Sequence, residues 1–591
     1  MKHLINIFFV LTTFYVFNDG SIFGQSLAGT DDLGRTILQN ESVGNPKKDK
    51  FVAMFYFLTH GDGTAEDYWD LSEIIPNHPE VLEDYDNPFW GKPVYYEGGP
   101  CPNYYWGKPI YGYYRADDYW VTRRSIQLLT DAGVDLLVID ATNNSVYPER
   151  AELLMKAMDE IRAQGKNPPK IVFYTNTDSG VRMEEAYENF YMEGAKYYHP
   201  DCWFNLPNKW HPEGQPVIIG QVPEAVGFDC ELSFTWRESQ WPNEKYKTNS
   251  WPWIDFTRPQ SVHYNYEGEK EIINVSVAQH PNPKAGMGGA AFYGNKDNWG
   301  RSYHNGNPGN PAKDIVYGYN IQEQWDFAIK ENPKIIFVTG WNEWTAGRWT
   351  SKDDNPEHSW FCDQASPEYS RDIEPTLTAN MKDNYYMQLV NNIRRFKGVE
   401  TNPLPGDKKT IRDFNDWKNI APVYKDYTGD TQPRNWKGAQ SKPETIYTNY
   451  TGRNDFDTLK IARDKENVFF YAQTVENITP NSGDNWMRLY IDADRKFETG
   501  WKGYDYRIAA GNKLQKYSEG KWEDLAKVDY SVKENKIMMT IPRKDIPEFS
   551  LELNFEFKWS DNMQDSNDPL DWYLNGDAAP GGRFNWIFSD K

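Results

Sequence analysis

The sequence is poor in cysteine, in positive charge and in apolar side chains. Four cysteines occur in 591 residues. They stand at Cys101, Cys202, Cys230 and Cys362, without the C-x-x-C pairs of a structural zinc site. Lys and Arg number 64 against 86 Asp and Glu, a net charge of −22. That balance lacks the basic field of a non-specific nucleic-acid binder or a protein docked on anionic membranes. Hydrophobic residues make up 39%, below the roughly 45–50% of an average chain, which excludes a polytopic membrane protein. Charged residues at 25% together with 24 Trp are equally wrong for disorder. There is no G-x-G-x-x-G after the first strand, no H-E-x-x-H and no nucleophile elbow, against dinucleotide-binding, metalloprotease and esterase readings. No internal repeat or low-complexity tract stands out.

What the chain has in excess is rings: 24 Trp, 39 Tyr and 30 Phe, or 16% aromatics. Many rings on a polar chain fit carbohydrate handling. The N-terminus has a short basic start at Lys2 and His3, then an apolar stretch over 4–17, too short for a membrane span of about 20 residues. With small polar residues up to Gly24 and Gln25, this is the pattern of a secretory signal peptide. Residues 1–24 are expected to be removed, no integral membrane segment remains, and the mature chain is expected to be secreted or periplasmic. Export makes disulfides permissible; Cys202–Cys230 is the most local pairing, and free buried thiols are the alternative.

Alternating strands and helices run from about residue 50 to 398. Apolar runs predict strands over 51–59, 134–141, 170–177, 216–221, 232–236, 272–279 and 334–339, with an eighth uncertain. Helical periodicity covers 119–132, 151–163, 183–194, 317–329 and 384–396. This favours an α/β fold, a (β/α)8 TIM-like barrel with long loops, over an open sheet. A turn-rich linker follows at 401–419. Short strands alternating polar and apolar residues then fill 420–591, the pattern of an all-β sandwich. The expected organisation is a signal at 1–24, a catalytic barrel at 25–400, the linker, and a carbohydrate-binding sandwich at 420–591.

Barrel enzymes place their chemistry where strands end. The first strand is followed by His60 and Asp62, the second ends at Asp140, and the fifth gives Trp236 and Glu238. The sixth gives His280, and the last gives Trp341, Asn342, Glu343 and Trp344. Together they describe an acidic cup walled by tryptophans. Glu343 is the sharpest catalytic candidate, since rings beside a carboxyl raise its pKa toward that of a general acid. Asn342 is placed to hydrogen-bond a sugar hydroxyl, and Trp341 and Trp344 to stack on a ring. Glycoside hydrolysis uses two carboxylates, and the partner candidates are Asp140, Glu238 and Glu374. The loop WGRSYHNG adds Arg301 and Tyr303 as hydroxyl or acidic-group binders. The histidines lack the spacing of metal ligands.

The segment GWNEWTAGRW, followed by DIEP and the aromatic helix DNYYMQLVNNIRRFKG, resembles the ends of barrels in the glycoside hydrolase family 71 and family 99-like group. The resemblance covers about residues 50–398. It implies a (β/α)8 barrel and retaining, endo-acting chemistry on α-mannosides or related glycans. Glu343 matches the first motif carboxylate, but the second motif acid falls at Ala346. Mannosidase activity is therefore not carried over. Glu374 matches the acid of the E-P element, as a structural or substrate-contacting group. NWMRLYIDADRKFETGWKGYDYRI and DWYLNGDAAPGGRFNWIF resemble a family 9 carbohydrate-binding module. That resemblance implies sugar binding between rings, with Trp486, Trp501 and Trp586 as candidates, and structural calcium. Asp492 and Asp494 are the candidate Ca²⁺ ligands.

The combined expectation is a secreted, monomeric glycoside hydrolase that needs no cofactor for catalysis and takes a polysaccharide or glycan by carboxylate acid/base chemistry. The alternative is a non-catalytic carbohydrate-binding scaffold with a degenerate barrel, which Ala346 favours.

Overall fold

The computed structural model describes residues 27–61, 69–82, 103–242, 244–281, 298–349, 360–361, 366–401, 405–439, 445–550 and 552–590. The predicted signal peptide, Asp62, Cys101 and Cys362 lie outside them. Among the described residues, no helix is long and apolar enough to cross a membrane.

Eight parallel strands form the barrel: β1 (Phe51–Tyr56), β2 (Leu136–Ala141), β3 (Lys170–Thr175), β4 (Gln215–Gly220), β5 (Thr235–Gln240), β6 (Ser250–Pro252), β7 (Lys270–Ser276) and β8 (Ile335–Thr339). Ladders run from β7 through β8 and β1 round to β6. The last gap is closed by side chains. Asn274 on β7 donates to the Pro252 and Trp253 carbonyls at 3.3 and 2.9 Å, and Thr339 on β8 also donates to the Trp253 carbonyl.

Apolar runs suit strands buried on both faces. Alternate residues such as Ala53, Phe55, Val138, Tyr174 and Phe337 fill the barrel. Their neighbours Val52, Met54, Ile139, Phe173 and Val338 pack outward against α1 (Tyr119–Ala132), α2 (Pro148–Ala163), α3 (Ser179–Ala186), α4 (Tyr319–Glu331) and α5 (Asn384–Lys397). Gly133 ends α1 in the left-handed region at φ 81, a conformation that costs a Cβ-bearing residue energy.

The C-terminal part is a β-sandwich. A five-stranded antiparallel sheet and a seven-stranded sheet enclose a core of Phe456, Phe470, Leu489, Ile537, Phe557 and Trp559. The polar strands Lys513–Ser518 and Lys521–Lys527 escape an apolar-run search, because most of their side chains stay in contact with solvent.

One strand boundary needs correction, and two points that the sequence leaves open are answered. The fifth strand begins at Thr235 rather than 232, because residues Asp229–Leu232 form a short 3-10 turn. The eighth strand is the three-residue β6, too short to leave a periodic signal. Cys202 and Cys230 are free and buried, not bridged. Burial pushes both thiols up to about 12. A thiolate is the reactive form, so native-state labelling of these two should be far slower than labelling in denaturant. Rapid native modification at either position, read by peptide mapping, would refute this.

Candidate active site

The loop after β8 is fixed by backbone hydrogen bonds before any side chain acts. Trp341 N–H donates to the Phe55 carbonyl at 2.9 Å, and Gly340 N–H to the Arg371 carbonyl at 3.1 Å. The Trp341 carbonyl accepts from both Ile373 and Glu374 at 3.1 Å. Segment 371–374 is thereby laid against segment 340–341. Past Glu343 the chain turns into a strand, Thr345–Trp349, that pairs antiparallel with Asn103–Tyr105 and sets Ala346 opposite Tyr104.

This docking brings Arg371 onto Glu343. The guanidinium donates to Glu343 Oε2 at 2.8 Å, and both side chains are buried. The Trp106 indole donates to the Glu343 carbonyl at 3.2 Å. Beside them, Asp372 is buried with both carboxyl oxygens lacking a hydrogen-bond partner among the described residues. Burial pushes its carboxyl up to about 7, against the pull of Arg301 and Arg371. Glu374 accepts from the Tyr114 hydroxyl at 2.9 Å. Burial first, and then the charge of Asp372, raises its carboxyl well above the usual range. Two acids that repel each other in a desolvated place do not both ionise at neutral pH.

The other predicted residues divide sharply. Asn342 is spent on the fold: its amide accepts from Phe57 N–H at 2.9 Å and donates to the Phe57 carbonyl at 3.1 Å. Trp341 is wholly buried. Trp344 has both faces covered, by His60 at 4.2 Å and Tyr105 at 5.3 Å between ring centroids. Neither tryptophan presents an open face for a sugar. His60 is buried, and burial together with Arg150 pushes its imidazole down to about 3, so it is neutral at ordinary pH.

Asp140 reaches the barrel end on the interior register but caps its own turn, accepting from Thr142 N–H and Oγ and from Asn143. Glu238 stands mid-strand on the register opposite Arg237 and Ser239. Those neighbours bond to Glu271 and Asn176. Glu238 instead meets the Val222 N–H at 3.4 Å, and burial raises its carboxyl pKa. Trp236 is held by its indole on the Glu231 carbonyl.

Arg301 is a buried clamp. It donates to the Pro367 carbonyl, the Ser370 hydroxyl and the Asp372 carbonyl. Tyr303 lies against Trp299 and Arg258. His280 is buried near Phe256 and Tyr369.

In the sandwich, Trp486 and Trp586 belong to the core and Trp501 packs against Tyr490, Tyr504 and Trp572. These three are packing residues rather than open platforms; the exposed rings of this half include Trp436 and Tyr450. Asp492 and Asp494 do converge, with Asp505, so that one carboxylate oxygen of each lies within 4.8 Å of the others. Sequence reasoning missed Arg371, Asp372, Tyr114 and Trp106. The acid–base pair in RDIE was visible beside Glu374, but nothing local showed that this segment docks on the β8 loop.

No protein-family model matches this sequence, and no curated protein does. Among solved structures, a GH99 endo-alpha-mannosidase from Bacteroides thetaiotaomicron is similar at 12% identity and a TM-score of 0.33, over 59% of this chain and 98% of that one. The same enzyme in complex with BIS-TRIS-propane gives 11% identity and a TM-score of 0.32, over 59% and 97%.

Proposed function

We propose that the chain is a glycoside hydrolase acting on a polysaccharide or glycan, with Glu343 as its anionic carboxylate and Asp372 as its proton donor. One observation carries this reading. At the C-terminal end of the last barrel strand, a carboxylate salt-bridged to a buried arginine lies on the same loop contact as two carboxyls whose pKa burial raises. A carboxylate paired with a cation beside a buried carboxyl that holds its proton to higher pH suits acid/base cleavage of a glycosidic bond. Asp372 would then supply the acid that is absent at Ala346, and Glu374, tied to Tyr114, stays protonated beside it.

The rest of the reading is an exported chain, secreted or periplasmic, that works as a monomer after loss of residues 1–24. Its barrel spans 25–400, and its sandwich, 420–591, holds glycan. Ca²⁺ is a structural accessory at Asp492, Asp494 and Asp505, where three hard oxygen donors meet.

A second reading, a barrel that binds glycan without cleaving it, is favoured by Ala346. Incubation with a panel of mannans, glucans, xylans and galactans separates the two. Release of new reducing ends supports the hydrolase. Retention of several polysaccharides in affinity electrophoresis, with none cleaved, overturns it.

A further inference from the structure

A second convergence of acids lies away from the barrel mouth, where the sandwich meets α1. Asp430, Asp455 and Asp577 are far apart in sequence, yet one carboxylate oxygen of each lies within 4.8 Å of the others. Each side chain is oriented by an N–H donor on one oxygen. The Gln127 amide from α1 donates to Asp430 Oδ2 at 3.1 Å. Gly429 N–H donates to Asp455 Oδ2 at 2.7 Å, and Phe456 N–H to Asp577 Oδ2 at 2.6 Å. The opposite oxygens of Asp430 and Asp455 are buried and have no hydrogen-bond partner among the described residues.

An independent observation points the same way. Asp426 is only 6% exposed, and its Oδ2 is also without a partner. It lines the same cavity of about 60 Å³ as Asp430 and Asp577.

Nearby cations, Lys166, Lys558, Arg123 and Arg124, oppose these charges only in part, since the hydrogen bonds they make go elsewhere. The Lys558 ammonium donates to the Pro580 carbonyl. Arg123 donates to the Thr428 carbonyl at 2.5 Å, and Arg124 to the Asp430 backbone carbonyl at 2.8 Å. Burial and mutual repulsion push the carboxyl of Asp455 up to about 7 and those of Asp426 and Asp577 well above the usual range. Donors that fix one oxygen of a carboxylate while leaving the other open are how outer-shell groups aim metal ligands. Ligands of one Ca²⁺, at about 2.3–2.6 Å each, lie no more than about 5 Å apart.

We propose that Asp430, Asp455 and Asp577, with Asp426 behind them, bind a divalent cation of the Ca²⁺ class and so fasten the sandwich to α1. The site is separate from the Asp492–Asp494–Asp505 cluster and does not depend on the catalytic reading. Water and backbone carbonyls complete an all-oxygen shell, as a hard cation prefers.

The test uses the full chain, stripped with EDTA and then titrated with CaCl2 or MgCl2, with bound metal counted by calorimetry and elemental analysis. Asp430→Asn and Asp455→Asn should each bind one Ca²⁺ fewer per chain than wild type and lose part of the Ca²⁺-dependent rise in melting temperature. Asp494→Asn should leave this ion in place. If wild type binds no Ca²⁺, or if Asp430→Asn and Asp455→Asn match it in stoichiometry and thermal response, the proposal falls. Should either variant fail to fold, a Tb³⁺-soaked wild-type crystal decides the matter. An anomalous peak among Asp430, Asp455 and Asp577 supports the site, and its absence there overturns it.

Discussion

Glu343→Gln should lower kcat on a cleaved polysaccharide by on the order of 10²–10⁴-fold, with KM little changed. Gln keeps the shape and still accepts a hydrogen bond from Arg371, so what is lost is the negative charge. That charge matters most when positive charge develops on the sugar ring in the transition state, and so the loss falls on kcat rather than on ground-state binding. Arg371 is wholly buried, and removing its charged partner also weakens the fold. Rates are therefore compared well below the melting temperature of the variant. A variant that keeps wild-type kcat would remove Glu343 from the chemistry.

Asp372→Asn separates the proton donor from the anion. The Asp372 carboxyl is pushed up to about 7, so it is protonated below that pH and loses its proton above it. The basic limb of kcat/KM should therefore lie near pH 7 in wild type and disappear in the variant, whose residual activity lacks that limb. An aryl glycoside with an acidic phenol as leaving group needs little protonation, so on it Asp372→Asn should lose far less than on the polysaccharide. Glu343→Gln should lose as much on both. A basic limb unchanged in Asp372→Asn would assign it elsewhere, with Glu368, also pushed up to about 7, as the next candidate. The stability sign follows from the same shift. The folded chain holds this proton between the ordinary carboxylate range and about pH 7 while the unfolded chain has released it. Stability falls as pH rises through that window, and the variant removes that slope.

The parts of the molecule that were legible in the sequence are those with dense local signals. Apolar runs such as FVAMFY and LLVIDA mark strands because a parallel barrel buries both faces, and α1 was readable to the residue from its period and from Gly133. β6 was not, since three residues carry no period and closure there depends on the Asn274 side chain. At the site, Glu343 was legible as the acid after the last strand. Its surroundings were not, because they come from the docking of 371–374 on Trp341, a contact between segments some thirty positions apart. Tryptophans misled for a related reason. A ring next to a polar residue looks the same in sequence whether its face meets solvent or, as for Trp344, a histidine.

Arg583→Met should destabilise the chain by about 3–5 kcal/mol, the cost of removing one partner from a buried ion pair. Arg583, near the end of the sandwich, donates through Nε to Asp383 Oδ2 at 2.6 Å, just before α5 of the barrel. The Tyr573 hydroxyl donates to the same oxygen at 2.9 Å. Through Nη2, Arg583 lies 3.1 Å from Asp32, which Lys382 and Lys502 also reach. The clamp thus joins the N-terminal segment, the last barrel helix and the sandwich.

Without the guanidinium, Asp383 is left as a fully buried carboxylate with one phenol. Asp32 keeps its two lysines but loses the partner that lowers its pKa most, so the penalty is shared between Asp383 and Asp32. The carboxyl of Asp32 is held well below the usual range, chiefly by Arg583 working against burial. Its stabilisation is present at neutral pH and is lost as pH falls through the ordinary carboxylate range and below. The single variant should therefore show its largest deficit at neutral pH and a smaller one in strong acid. Asp383→Leu combined with Arg583→Met removes both charges together, so the pair of changes should be markedly less damaging than the sum of the singles. Equilibrium denaturation of the four proteins of that cycle at neutral and acid pH gives the answer. If Arg583→Met melts together with wild type, or if the two changes simply add, the clamp is not what holds the sandwich against the barrel.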